Sequence, residues 1–153
     1  MIHANLIDAV ADLCHDALKS VELPTENSPS EVVNIFKQYL PPDLFETTEY
    51  VPWLLVEWLG TKESLAESSA AQIGLSIGVY AEKADGYLDA FYIMELLRNQ
   101  LLSKRTLANK FRLLNEVTWE PAQAQPAPFF VLYGSLSYSV FQPQEATFRH
   151  IQS

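Results

Sequence analysis

The link between residues 80 and 87 is the first place to look for chemistry, because glycine-bearing turns before a helix cradle phosphates in many enzymes. It carries Lys83, Asp85 and Gly86. A phosphate-binding turn needs clustered glycines, so that backbone N–H groups converge on the anion, and usually a lysine followed by serine or threonine. Here Gly86 stands alone and Asp85 would repel an anion. We therefore interpret the link as structural, with Asp85 capping the helix that follows.

A second group of candidate residues lies near the start of the chain. Asp8, Asp12 and His15 fall on one helical face, where positions three and four apart are neighbours, and could ligate a metal. Cys14 is the one thiol and the one candidate nucleophile. Acidic helix faces are commonplace, and a cysteine beside an apolar stripe lacks the electropositive setting of a reactive thiol. We therefore predict no catalytic residue, no metal site and no cofactor, and we interpret the chain as a non-enzyme.

Two helices must position these residues. The first is predicted over about residues 2–20 and has one apolar face, and the second runs from about Gly86 to Ser103 and is apolar on two sides. One apolar stripe of the second helix is expected to cover a sheet. The opposite stripe consists of Leu88, Tyr92 and Leu96. It needs a partner, and we predict that these residues form an oligomer interface.

Strand patterns occupy most of the remaining chain. The predicted strands are the apolar run Val51–Gly60, the strictly alternating run Ile73–Val79, and the runs Phe111–Glu120 and Phe129–Gln142. The run Glu31–Pro42 fits a helix or a strand equally well on composition.

The order of elements predicts a single α+β domain. It has a mainly antiparallel sheet of about four to five strands, with helices packed on one side. Its parts are the N-terminal helix, a core over about residues 31–143 and a C-terminal tail over residues 144–153.

Composition narrows the class of protein. The chain has 153 residues, of which 48% are hydrophobic and 19% charged, enough apolar surface for one folded domain. Its net charge of −9 opposes the basic surface that tight nucleic-acid binding requires. The N-terminal segment lacks a basic leader, and no apolar run is long enough to span a bilayer. We therefore predict a soluble chain, made in the cytoplasm, with no membrane partner.

Large aromatic side chains are unusually frequent for a core of this size. We expect most of them to pack inside the domain and the remainder to be available for self-association, because aromatic residues are enriched at interfaces.

A set of short motifs occurs in a particular order within residues 31–143. The residues are Ile77–Tyr80 ("IGVY"), Asp85–Tyr87 with Asp89 ("DGY.D"), Ile93, Leu97, Arg98 and Leu101, then Trp119, Gln125, Pro126, Pro128, Phe130 and Gly134. In this order they resemble the tail terminator proteins of long-tailed bacteriophages. The resemblance also favours a strand for the ambiguous run that begins at Glu31.

The resemblance implies a structural virion protein. Such a subunit joins five others in a hexameric ring on the last ring of the tail tube, stops tube polymerisation and offers the head its docking surface. Its partners would be further copies of itself, the tail tube protein and the head–tail connector protein, with DNA passing through the lumen without specific binding. It would be assembled in the host cytoplasm and reside in the tail or neck of the virion.

Exposed loops would supply the other contacts of such a ring. Our candidates for loop residues that face the tube, the head or the lumen are Lys62, Glu63, Glu67, Gln123 and Gln125.

Two alternatives remain open. The chain could be another head–tail connector or neck completion protein, since these are also ring-forming and of similar size, or a small dimeric α+β enzyme or ligand-binding domain. A polar pocket with a perturbed titratable group would favour the enzyme or ligand-binding domain, whereas an apolar oligomer face would favour the ring.

Overall fold

The computed structural model describes residues 1–65, 69–114 and 116–140. Within those ranges the chain forms two helices and seven strands. In order these are α1 (Ile2–Leu18), β1 (Asn34–Lys37), β2 (Trp53–Lys62), β3 (Ser69–Tyr80), α2 (Tyr87–Ser103), β4 (Thr106–Leu107), β5 (Phe111–Leu113), β6 (Thr118–Pro121) and β7 (Phe129–Val140).

One seven-stranded sheet organises the domain. Its order is β1-β2-β3-β7-β5-β4, and β6 also pairs with β7, beside β5. The long central strands β3 and β7 are antiparallel over their whole length, with Ser69 opposite Val140 and Tyr80 opposite Phe129. The link from β3 to α2 therefore leaves the sheet at the same end as the loop that enters β7.

The predicted α+β domain with helices on one side is confirmed, but the sheet has more strands than expected and is mixed. The pair β1 and β2 is parallel, with Asn34 opposite Trp53. It is parallel because the connection after β1 crosses the face of the sheet away from the helices before the chain enters β2. The ambiguous run after Glu31 thus holds a strand.

The run Phe111–Glu120 was expected to be one strand and is two. β5 pairs with the end of β7 near Tyr138, and β6 pairs with its first half, with Trp119 opposite Gly134. The run forms two strands because β5 and β6 pair with different stretches of the same edge of β7, which is twelve residues long. The tail at residues 144–153 lies outside the described residues.

The main core lies between the helices and the sheet. α1 and α2 contact each other and the same sheet face. Both predicted helices are confirmed within two residues at each end, and α1 buries the expected apolar face, including Leu6, Val10 and Cys14. In the described part of the chain, no helix is long and apolar enough to cross a membrane.

A second, smaller core lies on the opposite face. The connection between β1 and β2 places Leu44 and Val51 against Trp53 of β2 and Phe129 of β7. The indole of Trp53 covers Gly78, where an added Cβ would lie 2.1 Å from the ring. Gly78 and Ser76, on the face of β3 opposite its large apolar residues, are buried because this connection covers them.

Candidate interaction surface

The link between β3 and α2 is a tight turn. Gly86 lies directly against Ala81, and a Cβ added at Gly86 would be 2.4 Å from the Ala81 Cα. The Gly86 φ is −58°, so close approach, rather than a left-handed backbone, requires glycine here. The structural interpretation of the link agrees with this geometry.

Asp85 does not cap the helix, contrary to expectation. The N-cap residue is Gly86, and no side chain caps it. The Asp85 carboxylate instead accepts a hydrogen bond from the Asn27 side-chain amide at 2.9 Å. Because the helix begins one residue later than a capping role would need, Asp85 is free to bond to a distant segment.

Asp89 is the buried charge of this region. It is fully buried and accepts bonds from the Thr25 backbone N–H at 3.0 Å and the Thr25 hydroxyl at 2.7 Å. Burial raises the pKa of Asp89, and the bonds from Thr25 oppose that shift only in part. The Asn27 side-chain oxygen also accepts a bond from the Lys83 backbone N–H at 2.8 Å. These bonds fasten residues 25–27 to the link and to the first turn of α2.

Two exposed aromatic rings at the start of α2, Tyr87 and Phe91, lie beside the half-buried ring of Phe130 on β7, and we call these three residues the aromatic patch. Tyr87 and Phe91 are 41% and 39% exposed. Their ring centroids are 5.4 Å apart, and each lies 6.3 Å from the ring of Phe130 on β7. The patch arises because positions four apart on a helix are neighbours and the start of β7 lies beside them.

The patch forms the floor of an open groove of about 710 Å³. One wall is the link from Ala81 to Ala84, and the other contains Pro121 and Pro128. The Ala81 N–H donates to the Pro128 carbonyl at 2.7 Å, which joins the two walls. Among the residues that line the groove, only Glu82 and Lys83 carry charge. The groove therefore suits apolar side chains with a charged group at the rim, and offers no catalytic arrangement.

Gln125 holds the loop before β7 in place. Its side-chain oxygen accepts from the Val131 N–H at 2.7 Å, and its side-chain amide donates to the carbonyls of Ala122 at 3.1 Å and Val131 at 3.0 Å. Gln125 is nevertheless exposed, and its predicted role of facing a partner stays a prediction. Gln123 is also exposed, and its predicted role as a loop contact likewise stays a prediction.

The predicted interface stripe on α2 was expected to lack a partner within the chain, which is wrong for two of its three residues. Tyr92 and Leu96 are half-buried and pack against the main core. This is possible because α1 lies beside α2 on the sheet. Leu88 is 39% exposed. The interface role of the stripe stays a prediction. The sequence does not predict Tyr87 as an interface residue, because the period of the helix alone does not reveal that its side chain is exposed.

The hairpin between β2 and β3 carries the other candidate loop residues. Lys62 and Glu63 are exposed, and the Ser69 hydroxyl donates to the Glu63 carboxylate. Leu65 is completely exposed beside them, whereas Leu59 is half exposed further down β2, against Gly74. We call Lys62, Glu63 and Leu65 the hairpin tip. Glu67 lies outside the described residues.

Asp8 and Cys14, which were considered as a metal ligand and a nucleophile, take part in contacts within the fold. Asp8 forms an ion pair with Lys37 at 2.9 Å, which joins α1 to β1. Burial raises the pKa of the Cys14 thiol to about 12, so its reactive thiolate is scarce at neutral pH. Across residues 1–65, 69–114 and 116–140, no group of three or more His, Cys, Asp or Glu side chains is placed to hold a metal ion.

Comparison with protein families and with curated proteins finds no match to this sequence. Among solved structures, 34 chains match it. One of them aligns over 93% of this chain and 95% of its own length, with a TM-score of 0.50 and 10% sequence identity. At this identity the likeness concerns the fold alone.

Proposed function

We propose that this protein is a structural virion subunit of the tail terminator type. It forms a hexameric ring that caps the tail tube, stops tube polymerisation and offers the head its docking surface. The ring resides in the tail or neck of the virion and is assembled in the host cytoplasm. Its partners are further copies of the chain, the tail tube protein and the head–tail connector protein.

The observation that supports this proposal is the groove with its aromatic patch. Monomeric soluble proteins rarely expose contiguous apolar surface without using it, and aromatic side chains are enriched where proteins meet. Two of the segments that carry the resemblance, "DGY.D" and "QP.P", contribute Tyr87 and Pro128 to this groove, and "IGVY" ends one residue before Ala81 in its wall. A protein partner therefore fits the groove better than a small polar substrate does.

The charge of the chain fits the same role. Six copies would carry six times −9, or about −54. If part of this charge lines the lumen, DNA is repelled from the wall and passes without adhering.

Electron microscopy of virions assembled with this gene deleted tests the proposal. Over-long, headless tails are the expected result, because tube growth would lose its stop. Tails of normal length beside unattached or leaking heads would instead indicate a neck completion protein. Unaltered particles would overturn the structural role.

A further inference from the structure

The exposed hairpin tip and the apolar groove lie at opposite ends of the same strand. The hairpin tip lies beyond Ser69, where β3 begins, and the groove lies beyond Tyr80, where β3 ends. Twelve residues of strand separate them, and at about 3.3 Å per residue this is close to 40 Å. The tip therefore cannot cover the groove of its own chain.

The charges at the two surfaces are complementary. The tip presents Lys62 followed by Glu63, and the groove rim presents Glu82 followed by Lys83. All four side chains are exposed. A tip seated in a groove can place each cation beside an anion of the other copy. This matters because copies that each carry −9 repel one another elsewhere.

We propose that the hairpin tip of one copy inserts into the aromatic groove of the next. Leu65 packs on the aromatic patch, Lys62 pairs with Glu82, and Glu63 pairs with Lys83. The contact joins two different surfaces, so it is heterologous, and such contacts close into rings when the rotation between copies allows. The inference rests on the proposed ring and identifies the surfaces that build it.

Mixing two variants tests the head-to-tail contact. Leu65→Asp breaks the tip and keeps the groove, whereas Phe91→Asp breaks the groove and keeps the tip. Because either charge would be buried against apolar groups, we expect each to raise the Kd of self-association about tenfold or more and to leave the chain monomeric. The mixture should form a one-to-one dimer and nothing larger, since it contains one intact tip-and-groove pair.

Analytical ultracentrifugation of the full chain provides the readout, with circular dichroism to verify that each variant is folded. Tyr39→Asp is the control, because Tyr39 is 82% exposed and belongs to neither surface. It should assemble as the wild type does. A Leu65→Asp variant that assembles normally would overturn the contact, as would a wild-type chain that stays monomeric.

A charge exchange tests the pairing without touching an apolar residue. Lys62→Glu should weaken assembly, and adding Glu82→Lys in the same chain should restore it. Lys62→Glu with Glu46→Lys has the same net charge as that double variant, with Glu46 exposed and outside both surfaces. It should not restore assembly. Equal recovery in both double variants would overturn the pairing and attribute the effect to net charge.

These results separate the inference from the function on which it rests. Normal assembly of Leu65→Asp, with over-long tails on gene deletion, would remove this contact and leave the terminator role in place. Unaltered virions on gene deletion would remove the role itself.

Discussion

At the scale of single residues, the molecule depends on a few side chains whose partners lie far away in the chain. Asp89 bonds to Thr25, 64 positions earlier, and Trp53 covers Gly78 on the neighbouring strand. The side chains of Asp89 and Trp53 are both buried at these contacts. Substitutions at these positions therefore test the structure more sharply than surface changes do.

The carboxylate of Asp89 should give an unusual pH dependence. Its pKa is raised above the ordinary value of 3.8, so the folded state holds the proton more tightly than the unfolded state. The contribution of Asp89 to stability is then complete below pH 3.8 and is lost as the pH rises through the raised pKa. Urea unfolding at several pH values should show the stability of the wild type falling relative to Asp89→Asn over that window. A relative rise would show that the bonds from Thr25 outweigh burial.

The glycines of β3 offer a matched pair of substitutions. Gly78→Ala forces a methyl group against the Trp53 ring and should lower the free energy of unfolding by about 1–3 kcal/mol. In Gly74→Ala the nearest atom is the exposed Leu59 side chain at 3.0 Å, which can move away. We expect that variant to change stability by less than about 0.5 kcal/mol. Thermal denaturation of the two variants makes the comparison, and equal losses would contradict the contact with Trp53.

Tyr138 is fully buried, and its hydroxyl has no hydrogen-bond partner among the described residues. Because an unpaired buried hydroxyl costs free energy, Tyr138→Phe should keep stability or raise it by up to about 1 kcal/mol. Urea unfolding measures the change. Leu136→Ala, at a buried position on the same strand, should instead lose about 2–5 kcal/mol. A comparable loss in Tyr138→Phe would reveal a partner for the hydroxyl.

At the scale of elements, both helices pack on the same face of the sheet and cover it together. α2 is apolar on two sides because it faces both the sheet and α1. Three of its exposed apolar residues, Tyr87, Leu88 and Phe91, lie in its first turns beside Phe130, and Leu102 is exposed in its last turn. The groove thus exists because α2 begins at the end of the sheet where the loop before β7 arrives.

Substitutions on α2 should separate its inner from its outer residues. Tyr92→Asp places a charge against the main core and should destabilise the monomer by about 2 kcal/mol or more. Leu88→Asp should leave thermal stability nearly unchanged, because the side chain is already accessible to water. If Tyr92→Asp melts as the wild type does and only loses assembly, Tyr92 belongs to the interface after all.

At the scale of the whole molecule, acidity governs what the protein can contact. A chain of net charge −9 should not retain duplex DNA, even at low salt, where electrostatic attraction is strongest. A gel-shift experiment with the assembled protein should show free DNA at every protein concentration. Retention that weakens as salt is added would identify a basic surface and contradict the proposed lumen.

The sequence alone was sufficient to predict the elements whose residues follow a local pattern. The period of 3.6 residues identified both helices, strict alternation identified β3, and the count of charges identified an acidic surface. Such features depend on neighbours a few positions apart. For this reason α1, α2 and the long strands were predicted within a few residues of their ends.

Only the tertiary structure decided how those elements meet. The parallel pairing of β1, the division of Phe111–Glu120, the half-buried stripe on α2 and the bonds of Gln125 all depend on which distant segments come together. The aromatic patch joins a helix to a strand that begins some forty residues later. Residue spacing does not encode such pairings, because they minimise exposed apolar surface and unpaired polar groups over the whole chain at once.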